Sequence, residues 1–194
     1  MKKHIAFLSA LLLCLSTLFL LSSCGKHPID AFLEKIKQEN SAQITLTLYN
    51  VPNAGDSYTL VKKIDHTITY TTAGLENPEE YVETVGNKEY HYTKGSNNRW
   101  MMTEHFVKES DDSYSIEAML KLFDSKNYEA VGGKRNTYRQ KKGVVFDSFD
   151  DIVMTVGDDF LVIEGDVLSE GLHYRCKIII SDIGKISLTL PTLG

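Results

Sequence analysis

The sequence predicts an α+β fold that is mainly antiparallel β, with about eleven short strands and two helices. Three observations support this prediction. From Ser41 onward, apolar and polar residues alternate, as they do from Ile44 to Tyr49, which is typical of half-buried strands. Short runs rich in Gly, Asn and Asp separate these stretches and favour hairpins. Two further stretches carry apolar residues at helical spacing.

The first helix is predicted between Gly25 and Asn40. Pro28 lies near its start, where a helix does not need the N–H that proline lacks. Charged residues separate the apolar positions, which fall on one side of the helix. The pattern therefore predicts a short amphipathic helix whose apolar side consists of Ile29, Phe32, Leu33 and Ile36.

A first meander of six strands should follow, joined by turns such as Gly86-Asn87-Lys88 and Gly95-Ser96-Asn97-Asn98. These strands are expected at 44–49, 58–64, 67–71, 81–85, 89–94 and 99–103. A mid-chain helix comes next, because Ser113 or Ser115 can cap a segment that ends near Asp124. Its apolar side would be formed by Ile116, Met119, Leu120 and Phe123.

The same alternation returns after the mid-chain helix and predicts a second meander. Its strands are expected at 128–131, 135–141, 152–156, 160–167, 172–180 and 186–190. A flat sheet of this size would leave one apolar face uncovered, so we expect it to be strongly curved or covered by the helices.

The N-terminus has the pattern of a secretory leader. Lys2 and Lys3 precede an apolar run of 17 residues from Ile5 to Leu21, which is shorter than the roughly 20 that a membrane-spanning helix needs. The run ends in Leu21-Ser22-Ser23-Cys24, which resembles the bacterial lipobox. Two alternatives are an uncleaved membrane helix and an ordinary leader that is cut and discarded, but the second leaves Cys24 unexplained.

The lipobox resemblance implies a lipoprotein signal peptide over residues 1–23 and a mature domain over 24–194. It also implies a diacylglycerol on the sulfur of Cys24 and, in many bacteria, a further acyl chain on the new amino group. Two or more chains, at about 0.8 kcal/mol per buried methylene, hold a protein stably on a bilayer. We therefore expect a lipid-anchored protein on the extracytoplasmic face of the cell membrane, or on the outer membrane in a host that has two.

Composition narrows the class of protein. Without the leader, 171 residues remain, which is one domain of ordinary size, and their net charge of −7 argues against nucleic acid as a partner. Cys14 leaves with the leader and Cys24 carries lipid, so Cys176 has no partner for an intrachain disulfide. Its neighbours in the alternation predict that Cys176 is a buried small hydrophobe.

We find no pattern that indicates catalysis, a metal site or a cofactor. The histidines are scattered singly, the Asp pairs lack the spacing of a calcium loop, and hydrolase and phosphate-binding motifs are missing. A carboxylate pair for glycosidic chemistry stays open, because the distance between two carboxylates cannot be inferred from a sequence. The prediction is a protein that is not an enzyme.

The order of helix, long meander, mid-chain helix and closing meander resembles the LolA/LppX-like group of bacterial lipoproteins and lipoprotein carriers. Val85-Gly86-Asn87-Lys88-Glu89-Tyr90 followed by Trp100 looks like that group's strand, turn and strand with a tryptophan after them. The segment from Ser181 to Pro191 is similar to its closing hairpin. The resemblance spans most of residues 27–192 and implies an incomplete β-barrel whose helices cover the concave side.

By the same resemblance, the domain would bind a lipid or a lipidated molecule between the sheet and the mid-chain helix. The residues expected to contact it are Trp100, Met102, Met119 and Phe123, although such side chains can equally fill a core. In addition, Arg135, Arg139 and Lys141 alternate along one predicted strand and could contact anionic headgroups. The alternative for these three is a solvated edge strand protected by its charges.

The leading functional hypothesis is therefore a lipid-anchored lipoprotein of the cell envelope with a non-catalytic binding module for a lipid or another hydrophobic molecule. The alternative is a structural or interaction lipoprotein with a solid core that binds an envelope protein.

Overall fold

A computed structural model describes residues 26–51, 57–73, 79–106, 123–146, 149–169 and 172–194. These residues form helix α1 (Pro28–Glu39) and eleven strands. The strands are β1 Ser41–Tyr49, β2 Ser57–Asp65, β3 Ile68–Ala73, β4 Glu80–Val85, β5 Lys88–Lys94, β6 Trp100–Phe106, β7 Tyr128–Ala130, β8 Thr137–Gln140, β9 Phe149–Val156, β10 Leu161–Ser169 and β11 Leu172–Ser181.

All eleven strands belong to one antiparallel sheet, in the order β6-β5-β4-β3-β2-β1-β11-β10-β9-β8-β7. The two meanders meet at β1, where Ile44 lies opposite Lys62 of β2 on one side and Ile180 of β11 on the other. The sheet does not close, because β6 and β7 stand at its two ends. The prediction of a mainly antiparallel β fold with about eleven strands is confirmed.

Helix α1 begins and ends where local chemistry allows it. The Nδ1 atom of His27 accepts a hydrogen bond from the N–H of Ile29 at 3.3 Å, and Pro28 occupies the first turn. The helix ends at Asn40, which is left-handed with φ of 47° and donates its N–H to the carbonyl of Ile36. The predicted N-terminal helix is confirmed, and among the described residues it is the only α-helix.

A buried core lies between α1 and one face of the sheet, which we call the core face. Ile29 and Phe32 of α1 pack over β1 and β9. The strands that supply this core, β1 and β7 to β11, form with α1 what we call the packed wing. Its buried side chains are mainly aliphatic and include Ala42, Ile44, Ile152, Met154, Val156, Leu161, Ile163, Val167, Ile178 and Ile180.

Cys176 of β11 belongs to this core, as predicted, and its side chain is 1% exposed. Burial raises the pKa of its thiol to about 11, because the charged thiolate would lose its hydration there. The thiol is therefore protonated and unreactive at neutral pH.

Strands β2 to β6, which we call the open wing, are built differently. No described residue of these five strands is fully buried. On the core face the wing carries polar residues such as Lys62, Thr71, Glu80 and Thr93, as the cross-strand register shows. The opposite face carries Tyr70, Tyr81, Tyr90, Tyr92, Trp100, Met102 and Phe106, and we call it the aromatic face.

Two predicted elements differ from the structure. The strand predicted at 186–190 is wrong, because residues 186–194 form no strand. The strand predicted at 135–141 is shorter and covers only Thr137–Gln140, since Arg135 and Asn136 belong to the preceding turn. Most of the predicted mid-chain helix lies outside the described residues, and Phe123 leads into a single 3₁₀ turn over Ser125–Asn127.

The leader and Cys24 also lie outside the described residues. Among the described residues, no helix is long and apolar enough to cross a membrane.

Candidate functional site

Residues 186–194, which we call the crossing segment, run from the middle of the sheet to its edge. Near their start, Ile186 N donates to Ser41 Oγ of β1 at 3.2 Å, and Leu188 N donates to Asp65 Oδ2 of β2 at 2.8 Å. At the other end, Gly194 N contacts the carbonyl of Trp100 in β6 at 3.4 Å. The segment therefore crosses the open wing.

The crossing segment lies on the side of the aromatic face. Asp65 points to that side, because it lies opposite Ser41 and Ile68 while its neighbour Ile64 packs against the core. Ser41, on the same side, is only 4% exposed. The alternation of apolar and polar residues at 186–190, which predicted a strand, reflects this position on the sheet. Ile186, Leu188 and Leu190 are half-buried, and the residues between them are exposed.

The carboxylate of Asp65 is an electrostatic anchor for this segment. The N–H of Leu188 and, next, the side chain of His66 lower the pKa of Asp65, because both hydrogen bonds favour its charged form. Asp65 therefore holds Leu188 as a carboxylate at neutral pH.

Three rings form the centre of the aromatic face. The centroids of Tyr70 and Tyr81 are 4.8 Å apart, and Tyr81 meets Trp100 edge to face at 5.4 Å. These separations lie in the favourable range for aromatic pairs. Because the rings come from β3, β4 and β6, they connect almost the whole width of the open wing.

Lysine side chains lie over the outer rings of the same face. Lys63 Nζ is 5.9 Å from the centroid of Tyr70, Lys94 Nζ is 5.0 Å from that of Trp100, and Lys88 Nζ is 5.7 Å from that of Phe106. Such distances allow cation–π attraction. The face thus combines apolar ring surface with positive charge.

Carboxylates pair with two of these lysines, and we call the lysines and carboxylates together the rim of the aromatic face. Glu79 accepts hydrogen bonds from Lys94 Nζ at 2.9 Å and from the hydroxyl of Tyr70 at 3.3 Å. The bond from Lys94 lowers the pKa of Glu79, while partial burial and the nearby Glu79 raise the pKa of Tyr70. Lys88 pairs with Glu104 at 2.7 Å, which raises the pKa of Lys88. A molecule with an apolar body and a charged end would match this surface.

The four predicted ligand contacts do not form one group among the described residues. Trp100 and Met102 lie two residues apart on the aromatic face, where Trp100 is half-buried and Met102 exposed. Phe123 is buried in the core of the packed wing with 1% exposure. Met119 lies outside the described residues. The sequence interpretation did not include Tyr81 or the lysines Lys63, Lys88 and Lys94. Alternation of side chains along β2, β4 and β5 could have placed them on the same face as Trp100.

The three predicted headgroup contacts are exposed, but they do not form a row on one strand. Only Arg139 belongs to β8, and its Nε pairs with Glu129 Oε1 at 2.7 Å. Lys141 donates to the carbonyl of Lys126 at 2.7 Å, and Arg135 lies in the turn before β8. Two of these cations therefore already have protein partners.

A histidine pair occupies the core face of the open wing. The rings of His91 and His105 are 4.8 Å apart, and His91 contacts Glu80 at 2.8 Å and Glu89 at 3.4 Å. Within the described ranges, no group of three or more His, Cys, Asp or Glu side chains has an arrangement that could hold a metal ion.

One small open depression of about 260 Å³ lies beside α1. Ala31, Phe32, Lys35 and the 157–158 turn are among its lining residues. Lys35 is engaged at this site, since its Nζ binds the carbonyl of Asp158 at 3.0 Å and Asp159 Oδ1 at 2.5 Å.

Compared with known proteins, the chain matches no family model and no curated protein. We therefore infer the function from the geometry of the aromatic face and from the sequence of the leader.

Proposed function

We propose that this chain is a lipid-anchored lipoprotein of the bacterial cell envelope, with a non-catalytic binding module for a lipid or another hydrophobic molecule. Cys24 carries the anchor, and the aromatic face carries the ligand. In this proposal the sheet is a strongly curved incomplete barrel whose helices cover the concave side. The ligand lies on the aromatic face, opposite α1, and not between the sheet and the mid-chain helix as the sequence predicted. The family would be that of the LolA/LppX-like lipoproteins.

The observation that supports the binding module is the open wing itself. Five strands without a fully buried described residue gain little from packing, whereas their aromatic face holds three rings in mutual contact. Monomeric proteins seldom expose large contiguous apolar surfaces unless these have a partner. Ligand binding would provide the missing cover.

The free energy gained by covering apolar surface on the aromatic face predicts reversible binding. Covering about 300 Å² of apolar surface at about 25 cal/mol per Å² contributes about 7 kcal/mol. That gain alone corresponds to a dissociation constant of about 10 μM. The freedom of motion lost on association offsets part of it, so we expect affinities weaker than about 10 μM. A carrier or sensor that must release its ligand is consistent with such affinities.

Displacement of a fluorescent fatty acid from the full chain, purified from membranes in detergent, tests the binding module. Met102→Asp should weaken uptake at least fivefold, because it places a charge in the apolar part of the face. Leu168→Asp is the matched control: Leu168 points to the same side of the sheet from the packed wing, and the two side chains are 43% and 41% exposed. No saturable uptake, or equal loss in both variants, would contradict the proposal.

The anchor has its own test. Cys24→Ala should accumulate as unprocessed precursor or leak into the medium, because neither lipid attachment nor the cleavage that depends on it can occur. Mature protein that stays in the membrane despite this substitution would contradict the anchor.

A solid packed wing favours the alternative, a lipoprotein that offers its surface to an envelope protein. Ile163 and Met154 are fully buried beside α1, and the depression there is small and open. If the fatty acid assay shows no uptake while the Cys24→Ala result supports the anchor, this alternative replaces the binding module.

A further inference from the structure

Within the described residues, the two edges of the sheet are protected to very different degrees. β7 is three residues long, and the Glu129 in its centre is paired with Arg139. β6 has seven residues in continuous register with β5, without bulge, proline or lysine. Met101 is 51% exposed and Phe106 is 66% exposed. A long, regular, apolar edge strand of this kind is prone to pair with another strand.

The backbone of β6 shows which residues can pair outward. The carbonyl of Arg99 accepts from Gly95 and so points toward β5. Because backbone polar groups alternate along a strand, those of Trp100, Met102, Glu104 and Phe106 point away from the sheet. Gly194 reaches the carbonyl of Trp100 from that outer side. A second strand can therefore bond to Met102, Glu104 and Phe106, and it can bond to the carbonyl of Trp100 where it takes the place of Gly194.

We propose that the partner of this edge is β6 of a second copy of the chain, paired antiparallel about Thr103. In this register Trp100 lies opposite Phe106 of the second copy, and Met102 lies opposite its Glu104. Each pair occurs twice by symmetry, and all four outward-pointing residues form hydrogen bonds once Gly194 has left the carbonyl of Trp100. Aromatic pairs directly opposite each other stabilise a sheet.

Charge and length favour this register over its neighbours. Moving the centre of the pairing by one residue, to residue 104, slides the strands by two residues and places Glu104 opposite Glu104, which is repulsive. Shifting it in the other direction places Met102 opposite itself and leaves Phe106 without a partner inside β6. Only the register about Thr103 uses the whole strand and separates the like charges.

The geometry also agrees with an anchor on each copy, an argument that depends on the proposed function. An antiparallel extension of a sheet has its two-fold axis perpendicular to the sheet, so both copies turn the same face to the same side. Helix α1, which begins four residues after Cys24, lies on the core face. Both anchors therefore emerge on one side and can enter one bilayer.

Cysteine cross-linking in intact membranes tests the register. Thr103→Cys should form a disulfide-linked dimer under mild oxidation, because residues at a non-hydrogen-bonded pair have Cα atoms about 4.5 Å apart. Glu104→Cys is the control, since two such residues lie diagonally at about 7–8 Å and should cross-link poorly. The wild-type chain, with its own cysteines, gives the background.

Charge substitutions at Met102 test the same pairing by sedimentation of the purified full chain. Met102→Glu places two carboxylates opposite each other in each symmetric pair and should weaken the dimer at least tenfold. Met102→Lys should leave it as strong or stronger, because the lysine faces Glu104 of the second copy. Adding Glu104→Lys to Met102→Glu should restore the dimer.

Equal effects of Met102→Glu and Met102→Lys would overturn the register. Absence of a cross-link, or a cross-link to a different protein, would overturn the second copy as the partner. The Thr103→Cys cross-link is separate from the fatty acid assay, because Thr103 lies on the core face and the cross-link reports pairing rather than ligand uptake. The Met102 variants test the register alone, since Met102 also belongs to the aromatic face.

Discussion

The packed wing and the open wing belong to one sheet and meet where β1 pairs with β2, yet different interactions stabilise them. In the packed wing, α1 covers a core of aliphatic side chains that includes Ile163 and Met154, both fully buried. In the open wing, rings, lysines and carboxylates interact across neighbouring strands while still contacting solvent. Burial stabilises the first wing, and cross-strand pairs stabilise the second.

The difference shows that one sheet can combine a region with a closed core and a region whose side chains stay partly exposed. A core that is closed by its own helix needs no further partner. Among the described residues, the aromatic face of the open wing is crossed by the narrow segment 186–194, and Met102 and Phe106 on that face stay exposed. The segment 186–194 crosses this wing through a few hydrogen bonds, so local opening there should cost far less than unfolding of the core.

The largest effect is expected from truncating a side chain in the packed wing. Ile163→Ala should lower the free energy of unfolding by about 2–5 kcal/mol, because Ile163 is fully buried and its loss leaves a cavity. Ile68→Ala, on half-buried β3, is the matched substitution in the open wing and should cost about 1 kcal/mol. Urea unfolding of both variants, followed by circular dichroism, measures the difference.

Similar losses in the two variants would break the comparison between the wings. The same experiment can be sharpened, because Trp100 is the only tryptophan of the chain and reports on the open wing. If the wings unfold separately, the fluorescence transition should precede the circular dichroism transition.

An intermediate effect is expected at the centre of the aromatic face. Tyr81→Ala removes contacts with both Tyr70 and Trp100 and should cost about 1–2 kcal/mol. Tyr81→Phe keeps the ring and should cost less than about 0.5 kcal/mol. Thermal unfolding compares the two variants, and an equal loss in both would indicate that the hydroxyl rather than the ring contacts is important.

Much of the fold could be predicted from the sequence because alternation and turn residues act locally. Gly86 and Asn87 form a two-residue connection between β4 and β5, and His66 and Thr67 form another between β2 and β3. The order of strands also follows from short hairpins. The predicted strand at 186–190 failed for a physical reason: a segment that lies flat on a sheet shows the same alternation as a strand inside one.

The candidate site was harder to predict because it depends on which face of a strand is covered. Met101 and Met102 look equivalent in the sequence, but only Met102 shares the face of Trp100. The grouping of Phe123 with Trp100 assumed that all large apolar residues line one cavity, whereas Phe123 belongs to the core. Residue types alone do not reveal that the apolar face changes sides between the two wings.

A smaller effect is expected from the rim of the aromatic face. Lys94→Met removes the ion pair with Glu79 and the cation over Trp100, both at half-exposed positions. The free energy of unfolding should fall by about 0.5 kcal/mol at low salt and by less at high salt, because salt screens exposed pairs. Urea unfolding at two salt concentrations measures this, and a loss independent of salt would indicate lost packing instead.

The smallest effect should be local and dependent on pH. The pKa of Asp65 is lowered by the Leu188 N–H and by His66, so its contribution is present above the ordinary carboxyl pKa of about 3.9 and is lost as pH falls through the lowered value. Hydrogen exchange, corrected for intrinsic rates, should show residues 186–190 keeping their protection from pH 6 down to about pH 4 and losing it as pH falls further. Peptides from β10 should remain protected over the same range, because the backbone of β10 pairs with the backbones of β9 and β11 rather than with a carboxylate such as that of Asp65.

Asp65→Asn removes the charge of residue 65 and keeps the shape of its side chain. The amide oxygen can still accept from Leu188, so the segment should stay in place with weaker protection that no longer depends on pH in this range. Unchanged pH dependence in Asp65→Asn would assign the effect to another group. A loss of protection that spread into β10 would mean that the crossing segment opens together with the packed wing, and the two wings would then be one cooperative unit.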